Sequence, residues 1–254
     1  MITTYKTQIL CASAVAVFGL AAATTQAQSI TVPDFSFETP SETGTYQDNT
    51  GIAAGSAIPN TGSAWYYLGG FTAGGSPVGV QDVSANGFTA GANPDGTQDG
   101  YVNVGAWMGS GALTPIVANT TYTLTVAEGN RGGGFAQTGG FTIALAYGLS
   151  VGTGLTNSAN WGSFLHVSYA NSPAVGTFAD YQTSFTTGSS DSSIGQSLFV
   201  LLGSDVVTGN NPIDYDDVRL TATAVPEPAN LALAALGGLV TFGLGRRTGK
   251  KSRS

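Results

Sequence analysis

Carboxylates dominate the side chains of this chain that could carry out chemistry. The sequence has 15 Asp and Glu residues, but only one histidine, His166, and one cysteine, Cys11. His166 alternates with Leu165 and Val167 in a strand-like pattern, so it is expected to face outward, and no local motif marks a serine nucleophile. A glycosidase needs only two well-spaced carboxylates, but their separation cannot be read from the sequence. No catalytic residue is assigned, and the residue types favour a protein that is not an enzyme.

Two neighbouring carboxylates, Asp216 and Asp217, fall in a strand-like segment late in the chain. Val218, Leu220 and Ala222 share one face of that segment. Period two then places Asp216 on the same inward face and Asp217 on the opposite one. A carboxylate that faces a core needs a partner, and a hard cation that takes oxygen ligands fits this pattern.

A second acidic segment covers residues 95–100, with the sequence Asp-Gly-Thr-Gln-Asp-Gly. Its oxygen-bearing residues match the first half of an EF-hand loop. Position twelve of such a loop would be Ala106, which cannot supply the bidentate carboxylate. We therefore interpret the segment as a β-turn that lies outside any metal site.

Aromatic side chains offer a different chemistry, because flat rings can stack on the apolar faces of sugars. Trp107 and Trp161 are flanked by Gly, Ser and Asn and are the candidates for glycan contact. Core packing is the alternative for both, and Trp65 is expected to be a core residue.

Charge separates the chain into regions. Residues 28–224 carry fourteen acidic side chains against two basic ones, Arg131 and Arg219, for a net charge of −12. Such a surface repels phosphate backbones, so no nucleic-acid partner is expected, whereas divalent cations and neutral sugars remain compatible with it.

Alternating apolar and polar residues predict the elements that must position these side chains. Residues 121–126, 141–147, 165–169 and 181–185 alternate with period two, and residues 197–202 form a continuous apolar run typical of a central strand. Clusters of Gly, Asn, Ser and Pro separate these segments, and no long helical period occurs between the two termini. The pattern predicts an all-β fold, an antiparallel two-sheet sandwich over residues 28–224.

The first and last of these strands resemble those of galactose-binding-like jelly rolls and related carbohydrate-binding modules. Residues 34–38 (Asp-Phe-Ser-Phe-Glu) are similar to the opening motif of those domains, and residues 215–220 (Tyr-Asp-Asp-Val-Arg-Leu) are similar to their closing strand. The resemblance implies a jelly roll with a structural Ca²⁺, held by Glu38 and Asp216, with Asp217 as the alternative ligand. Asp34 and Phe35 depart from the usual Asn-Gly, so the opening turn is expected to differ.

The N-terminal residues 1–27 are typical of a secretory signal peptide. Lys6 precedes an apolar stretch from Ile9 to Ala23, and small residues precede the predicted cleavage by signal peptidase after Ala27. Cys11 lies inside the apolar stretch, so the mature protein is expected to contain no cysteine and no disulfide.

The C-terminal residues 225–254 combine three features in a fixed order. Pro226, Glu227 and Pro228 come first, an uncharged apolar run over 229–245 follows, and five Lys and Arg residues lie within the last nine positions. The run would form a helix about 25 Å long, just enough to span a bilayer, with the basic tail in the cytoplasm. This order resembles the PEP-CTERM sorting signal of bacterial surface proteins, which implies processing by exosortase. Whether the mature protein is then anchored, released or conjugated stays open.

Together these patterns predict an exported, surface-sorted protein at the cell envelope, acting as a non-catalytic component of an extracellular polysaccharide or biofilm matrix. The alternative is a carbohydrate-binding module with a defined glycan ligand. A secreted polysaccharide hydrolase is the less favoured third reading.

Overall fold

A computed structural model describes residues 25–41, 46–47, 49–71, 75–89, 92, 94–137, 139–148, 163–205 and 211–226, and for 163–170 it describes the backbone alone. Residues Gln26–Val225 form one compact unit. The described part contains eleven strands and two short 3-10 turns, at Val83–Ala85 and Gly133–Phe135. The strands are β1 Gln28–Ile30, β2 Trp65–Gly69, β3 Val78–Asp82, β4 Gln98–Val102, β5 Trp107–Ser110, β6 Thr120–Asn130, β7 Gly140–Tyr147, β8 Ser163–Asn171, β9 Thr177–Thr186, β10 Leu198–Ser204 and β11 Ile213–Ala224.

The strands form two antiparallel sheets. The first sheet has the order β3-β4-β11-β6-β9, with β1 also paired to β11, and the second has the order β2-β5-β10-β7-β8. Strand β10 is buried along its whole length between β5 and β7, as its continuous apolar run predicts. The predicted all-β, antiparallel two-sheet sandwich is confirmed.

The core lies between the inner faces of the two sheets. It includes Phe37 and Trp65, whose rings lie 5.1 Å apart, and Tyr215, whose hydroxyl crosses the core to donate to the Gly203 carbonyl at 2.6 Å. Trp65 is fully buried, and its indole N–H donates to the Asp34 carbonyl at 3.1 Å. Its predicted core position is confirmed.

A β-bulge in β11 changes which residues face the core. The pairing of β11 with β6 shifts between Asp216 and Arg219, and Asp217 has a positive φ of 45°. Because of the extra residue, Tyr215 and Val218 both lie in the core, and Asp216 lies on the opposite face from Tyr215. The prediction that Asp216 faces inward is therefore wrong, since it assumed an unbroken period of two.

Among the residues that the structure describes, no helix is both long and apolar enough to cross a bilayer. The predicted helix over 229–245 and most of the predicted signal peptide lie outside those residues.

Candidate functional site

Polar side chains collect on the outer face of the first sheet, where β3, β4 and β11 lie side by side. Gln81 pairs directly with Asp99 across β3 and β4, and Tyr101 pairs with Asp214 across β4 and β11. Directly paired residues of an antiparallel sheet lie on the same face. The side chains of Gln81, Asp99 and Asp214 are completely buried on that face. With Arg131 they form what we call the acid cluster.

Arg131 holds one of the two carboxylates of the acid cluster. Its Nε and Nη2 atoms donate to the two oxygens of Asp214 at 2.8 and 2.7 Å, in a bidentate ion pair. The Gln81 amide adds a third hydrogen bond to Asp214, at 2.8 Å. The guanidinium also lies over the ring of Tyr101, with 5.5 Å between Cζ and the ring centroid. Arg131 follows the end of β6, so the strand end and the Tyr101 ring together fix its position.

Asp99 is the unpaired carboxyl of the acid cluster. Both of its oxygens are buried and neither makes a hydrogen bond of good geometry, although the Gln81 amide, which donates to Asp214, lies close enough to interact with it. Burial raises its pKa well above the ordinary value, the Asp214 and Asp216 carboxylates raise it further, and Arg131 and Gln81 oppose these effects only in part. One cation thus faces two buried carboxyl groups. We assign the ion pair to Asp214, because Arg131 contacts it directly, and the proton to Asp99.

Three loops cover this end of the sandwich and are joined through Asn130. Its carbonyl accepts from Gly176 at 2.6 Å, its side-chain N–H donates to Pro173 at 2.9 Å, and its side-chain oxygen accepts from Gln137 at 2.7 Å. The loop after β3 joins the same network, because Gly132 donates to Gly87 at 3.0 Å. The loops at this end of the sandwich are therefore joined to one another, and the acid-cluster side chains are shielded from bulk water.

Aromatic side chains line the loops beside the acid cluster. Phe88 stacks on Phe178 with 4.6 Å between ring centroids, and Phe178 lies across Gly129, where a Cβ would collide with the ring. Phe135 is 48% exposed on the neighbouring loop. These rings give this end of the sandwich an apolar surface.

Glu128 lies on the inner face of β6, opposite the acid cluster. Its side chain is fully buried, Ser172 donates to one oxygen at 2.9 Å, and the other oxygen has no partner. Burial raises its pKa to about 8, Ser172 lowers it, and the nearby Asp214 raises it. Glu128 is therefore a mostly neutral acid at pH 7.

Glu38 and Asp216, the predicted metal ligands, both bind the turn over residues 95–98. One Glu38 oxygen accepts from the Thr97 and Gln98 amides at 2.7 and 2.6 Å, and Asp216 accepts from the Asp95 amide at 3.1 Å. We call these two carboxylates and the turn the clasp. A Cβ on Gly96 would collide with the Glu38 carboxylate, and its φ is +62°, so the turn requires glycine. The turn, which the sequence analysis placed outside any metal site, thus contacts both of the predicted ligands.

Asp217, the alternative metal ligand, contacts Arg219 at 3.1 Å. Among the residues that the structure describes, no group of three or more His, Cys, Asp or Glu side chains is arranged to hold a metal ion. The clasp nevertheless offers only oxygen ligands, and each carboxylate oxygen can accept more than one contact. Burial raises the pKa of Asp216 to about 8, the Asp217 and Asp95 amides lower it, and the Asp95 and Asp217 carboxylates raise it. The residue types thus fit a Ca²⁺ ion, although backbone amides hold the carboxylates here.

The two tryptophans predicted to contact a glycan are placed differently. Trp107 is half-buried on the outer face of the second sheet, where its ring lies across Gly203 and packs with Leu68 and Leu201. Trp161 lies outside the described residues, as does the side chain of His166.

Sequence reasoning missed the acid cluster and Glu128. The sequence analysis considered Asp99 only within the segment that resembles an EF-hand loop. It chose Asp216 and Asp217, and not Asp214, as candidate site residues. The sequence did contain a signal for the burial of Glu128, because Glu128 continues the alternation that places Leu124 and Val126 on the inner face of β6. No such period marks Asp99 or Asp214, since they lie on an outer face that only the loops bury.

Comparisons with known proteins point to a family of enzymes. Residues 28–221 match the model of the HpiC1-like family, described as HpiC1 cyclase. The Stig cyclase Fisc from Fischerella sp. TAU, solved in complex with (3Z)-3-(1-methyl-2-pyrrolidinylidene)-3H-indole, is 24% identical, with a TM-score of 0.60 over 79% of this chain and all of that chain. A cyclase from Fischerella sp. TAU, in complex with 4-(1H-indol-3-yl)butan-2-one, has the same identity and coverage and a TM-score of 0.58. At this identity the structural likeness shows the fold. No curated protein matches the sequence.

The family match overturns two expectations from the sequence. The prediction that the chain is not an enzyme is wrong, and so is the prediction of a non-catalytic component of a polysaccharide or biofilm matrix. A family 16 carbohydrate-binding module also matches, but its TM-score of 0.37 carries no argument for sugar binding. The resemblance to carbohydrate-binding modules lay in strand motifs, and these specify a sandwich rather than its ligand.

Proposed function

Because the chain belongs to the HpiC1-like cyclase family, we propose that it is a cyclase and that the acid cluster is its active site. The observation that carries this proposal is the buried carboxyl of Asp99, which makes no hydrogen bond of good geometry and lies beside the Arg131-bound Asp214. A structural role would have paired this group, since an unpaired buried polar group costs about 1–3 kcal/mol. A role toward a ligand explains why it is left free.

The chemistry is an acid-catalysed ring closure without loss of atoms. The Asp99 carboxyl donates its proton to an unsaturated centre of the substrate, and the π electrons of a second centre in the same molecule form the new bond to the resulting cation. Loss of a proton from the cyclised cation to the Asp99 carboxylate restores both the neutral product and the acid. Once Asp99 has given up its proton, its own carboxylate is the negative charge that stabilises the cationic intermediate, because the Asp214 charge is already balanced by Arg131.

The substrate class we propose is a planar, largely apolar molecule with an aromatic ring system such as indole. Phe88, Phe178 and Phe135 supply apolar faces, and the faces of aromatic rings attract cations. The ligands named for the Fischerella cyclases contain an indole or indole-derived ring, which agrees with this class.

An activity assay tests the proposal directly. Indole-bearing alkenes incubated with the protein should give products of unchanged mass and different retention in liquid chromatography with mass spectrometry. Asp99→Asn keeps the shape of the side chain but removes its proton, so the rate should fall by about 100-fold or more. Asp191→Asn is the control, because Asp191 lies in the loop between β9 and β10, away from the acid cluster, and should leave the rate unchanged. Equal rates for Asp99→Asn and wild type would contradict the assignment.

Three further proposals concern the form in which this enzyme works. The first is that the two sheets are connected as a jelly roll, which the strand motifs at residues 34–38 and 215–220 support. We also propose that the clasp binds a structural Ca²⁺ through Glu38 and Asp216, supported by its oxygen-only ligands. The ion would supply positive charge between the two carboxylates and tie the opening turn to β11.

The last of these proposals is export. The apolar stretch before Ala27 and the order of Pro226, Glu227 and Pro228, an apolar run and a basic tail support secretion, a C-terminal membrane anchor and processing by signal peptidase and exosortase. The cyclase would then work on the outer side of the cell membrane.

A further inference from the structure

The first strand of the sandwich begins at the residue that cleavage after Ala27 would make the N-terminus. Strand β1 covers Gln28–Ile30 and pairs with residues 220–222 of β11. Residues 25–27, which precede it, are exposed and lie outside any strand. Cleavage after Ala27 would therefore place the new α-amino group on the first residue of a sheet rather than on a free tail.

The fold leaves the side chain of Gln28 accessible. Gln28 is exposed, so the sandwich does not hold its side-chain amide away from its own backbone nitrogen. Its cross-strand partner is Ala222, whose small side chain leaves room for a ring at position 28.

An N-terminal glutamine carries an amine and an amide that can react with each other. An α-amino group titrates close to neutral pH, so part of it is uncharged under ordinary conditions. The uncharged amine attacks Cδ of the side-chain amide, the new N–Cδ bond closes a five-membered lactam, and the Cδ–Nε bond breaks. The proton lost by the amine leaves with Nε as ammonia. The reaction is favoured because both groups belong to one residue, and it needs no oxidant or reductant.

Primary amines are otherwise confined to the two ends of the sequence. Its three lysines are Lys6, Lys250 and Lys251, and all of them lie in the segments that the proposed processing would remove. The basic residues of the sandwich, Arg131 and Arg219, carry guanidinium groups that stay protonated. In the processed chain the α-amino group of Gln28 would therefore be the one primary amine.

We propose that Gln28 closes to this lactam in the exported protein, which leaves the processed chain without a primary amine. The lactam keeps the carbonyl and one N–H of residue 28, so the backbone groups that this residue can offer to β11 are retained. Its N-terminus then reacts with no amine-directed reagent. The proposal rests on the cleavage by signal peptidase proposed above.

Peptide mass spectrometry of the exported chain tests the proposal. The chain is unfolded, treated with an amine-reactive label and then digested with chymotrypsin, which cleaves after Phe35 and yields residues 28–35 as one peptide. We expect this peptide to be lighter by the mass of one ammonia and to carry no label, in a share that rises on incubation until the open form is lost.

Gln28→Asn is the matched control. It keeps a side-chain amide but would have to close a strained four-membered ring, so its peptide should keep its full mass and carry one label. The rate of closure should also be the same in folded and urea-unfolded wild-type protein, because Gln28 is exposed in the fold.

The outcomes separate the lactam from the cleavage. A wild-type peptide that begins at Gln28, keeps its full mass and still takes the label after prolonged incubation would overturn the lactam alone. The same holds for a folded chain that stays open while the unfolded chain closes, since pairing with β11 would then block the reaction. A mature chain that begins at another residue would overturn both the cleavage and the lactam.

Discussion

Single carboxyl groups of this protein differ widely in how they hold a proton, and burial explains most of the difference. Asp191 is partly exposed in the loop between β9 and β10, where the Ser193 amide and hydroxyl lower its pKa. Glu128 is buried, and its pKa rises to about 8. Both accept hydrogen bonds from serine, so the contrast comes from access to water, which stabilises the ionised form only at the surface.

The raised pKa of Glu128 predicts a specific dependence of stability on pH. In the unfolded chain Glu128 titrates near 4.5 and in the folded protein near 8. Between these values the folded protein binds the extra proton, so this group's contribution to stability falls as the pH rises from 4.5 to 8 and is constant outside that window. Glu128→Gln removes this loss of stability. At pH 9 the variant should be more stable than wild type by up to about 5 kcal/mol.

Chemical denaturation at about pH 4 and about pH 9 measures this difference. The gain from Glu128→Gln should be present at the higher pH and small at the lower one. Asp191→Asn is the control and should show no such gain at high pH. A Glu128→Gln curve that runs parallel to the wild-type curve across the window would mean that Glu128 is ionised in the folded protein.

Sequence reasoning at the residue scale succeeded where a side chain lies on a periodic inner face. The burial of Trp65 was predicted correctly. Asp99 and Asp214 were not identified, because their burial depends on loops that come from distant parts of the chain. Arg131 stood out as one of two basic residues in residues 28–224, but its partner Asp214 is 83 positions away in sequence. Contacts of that range carry no local pattern.

At the scale of elements, β11 connects both parts of the candidate site. It carries Asp214 of the acid cluster and Asp216 of the clasp on one face, two residues apart, and the bulge at Asp217 then returns Val218 to the core. An unbroken strand would have placed Asp216 in the core with no backbone amide to bind. The strand itself was predictable from alternation, whereas the bulge was not, since a single extra residue leaves the composition of the strand unchanged.

The clasp predicts a response to calcium. If Glu38 and Asp216 share a Ca²⁺ ion that binds only the folded protein, an ion concentration 100 times its dissociation constant adds about 2.7 kcal/mol. For a domain of roughly 200 residues, thermal unfolding should shift upward by about 5–10 °C. Chelator should remove the shift, and so should Asp216→Asn.

Asp217→Asn is the matched control for that measurement, because Asp217 contacts Arg219 rather than the turn over residues 95–98. It should keep the calcium shift. Identical wild-type melting curves with calcium and with chelator would rule out an exchangeable stabilising ion, and the amide hydrogen bonds of the clasp would then be its complete function.

At the scale of the whole molecule, the composition and spacing of the strands were enough to predict a two-sheet sandwich but led to the wrong function. Alternation specifies faces and sheets, and many unrelated activities occur on the same sandwich. The proposed active site lies at the end of the first sheet where hydrogen bonds join the loops after β3, β6 and β8. Loop closure of this kind is set by long-range contacts, such as those of Asn130, that no segment reveals alone.

The two terminal signals predict the mass of the mature protein. Gln28 is the first residue of β1, and at the C-terminal side of the sandwich the Val225 amide donates to the Asn119 carbonyl. Cleavage after Ala27 and near Pro226–Pro228 would therefore remove residues that contribute nothing to the described sheets. Intact-mass measurement of the surface form should find an N-terminus at Gln28 and no residues from Arg246 to Ser254, and deletion of exosortase should leave the C-terminal residues in place.

The trimmed protein should also melt within about 2 °C of a chain spanning residues 28–228, since the strands that set its stability are unchanged. A surface form that retains Arg246 to Ser254 would favour a simple membrane anchor over processing, and one that retains residues 1–20 would contradict cleavage by signal peptidase.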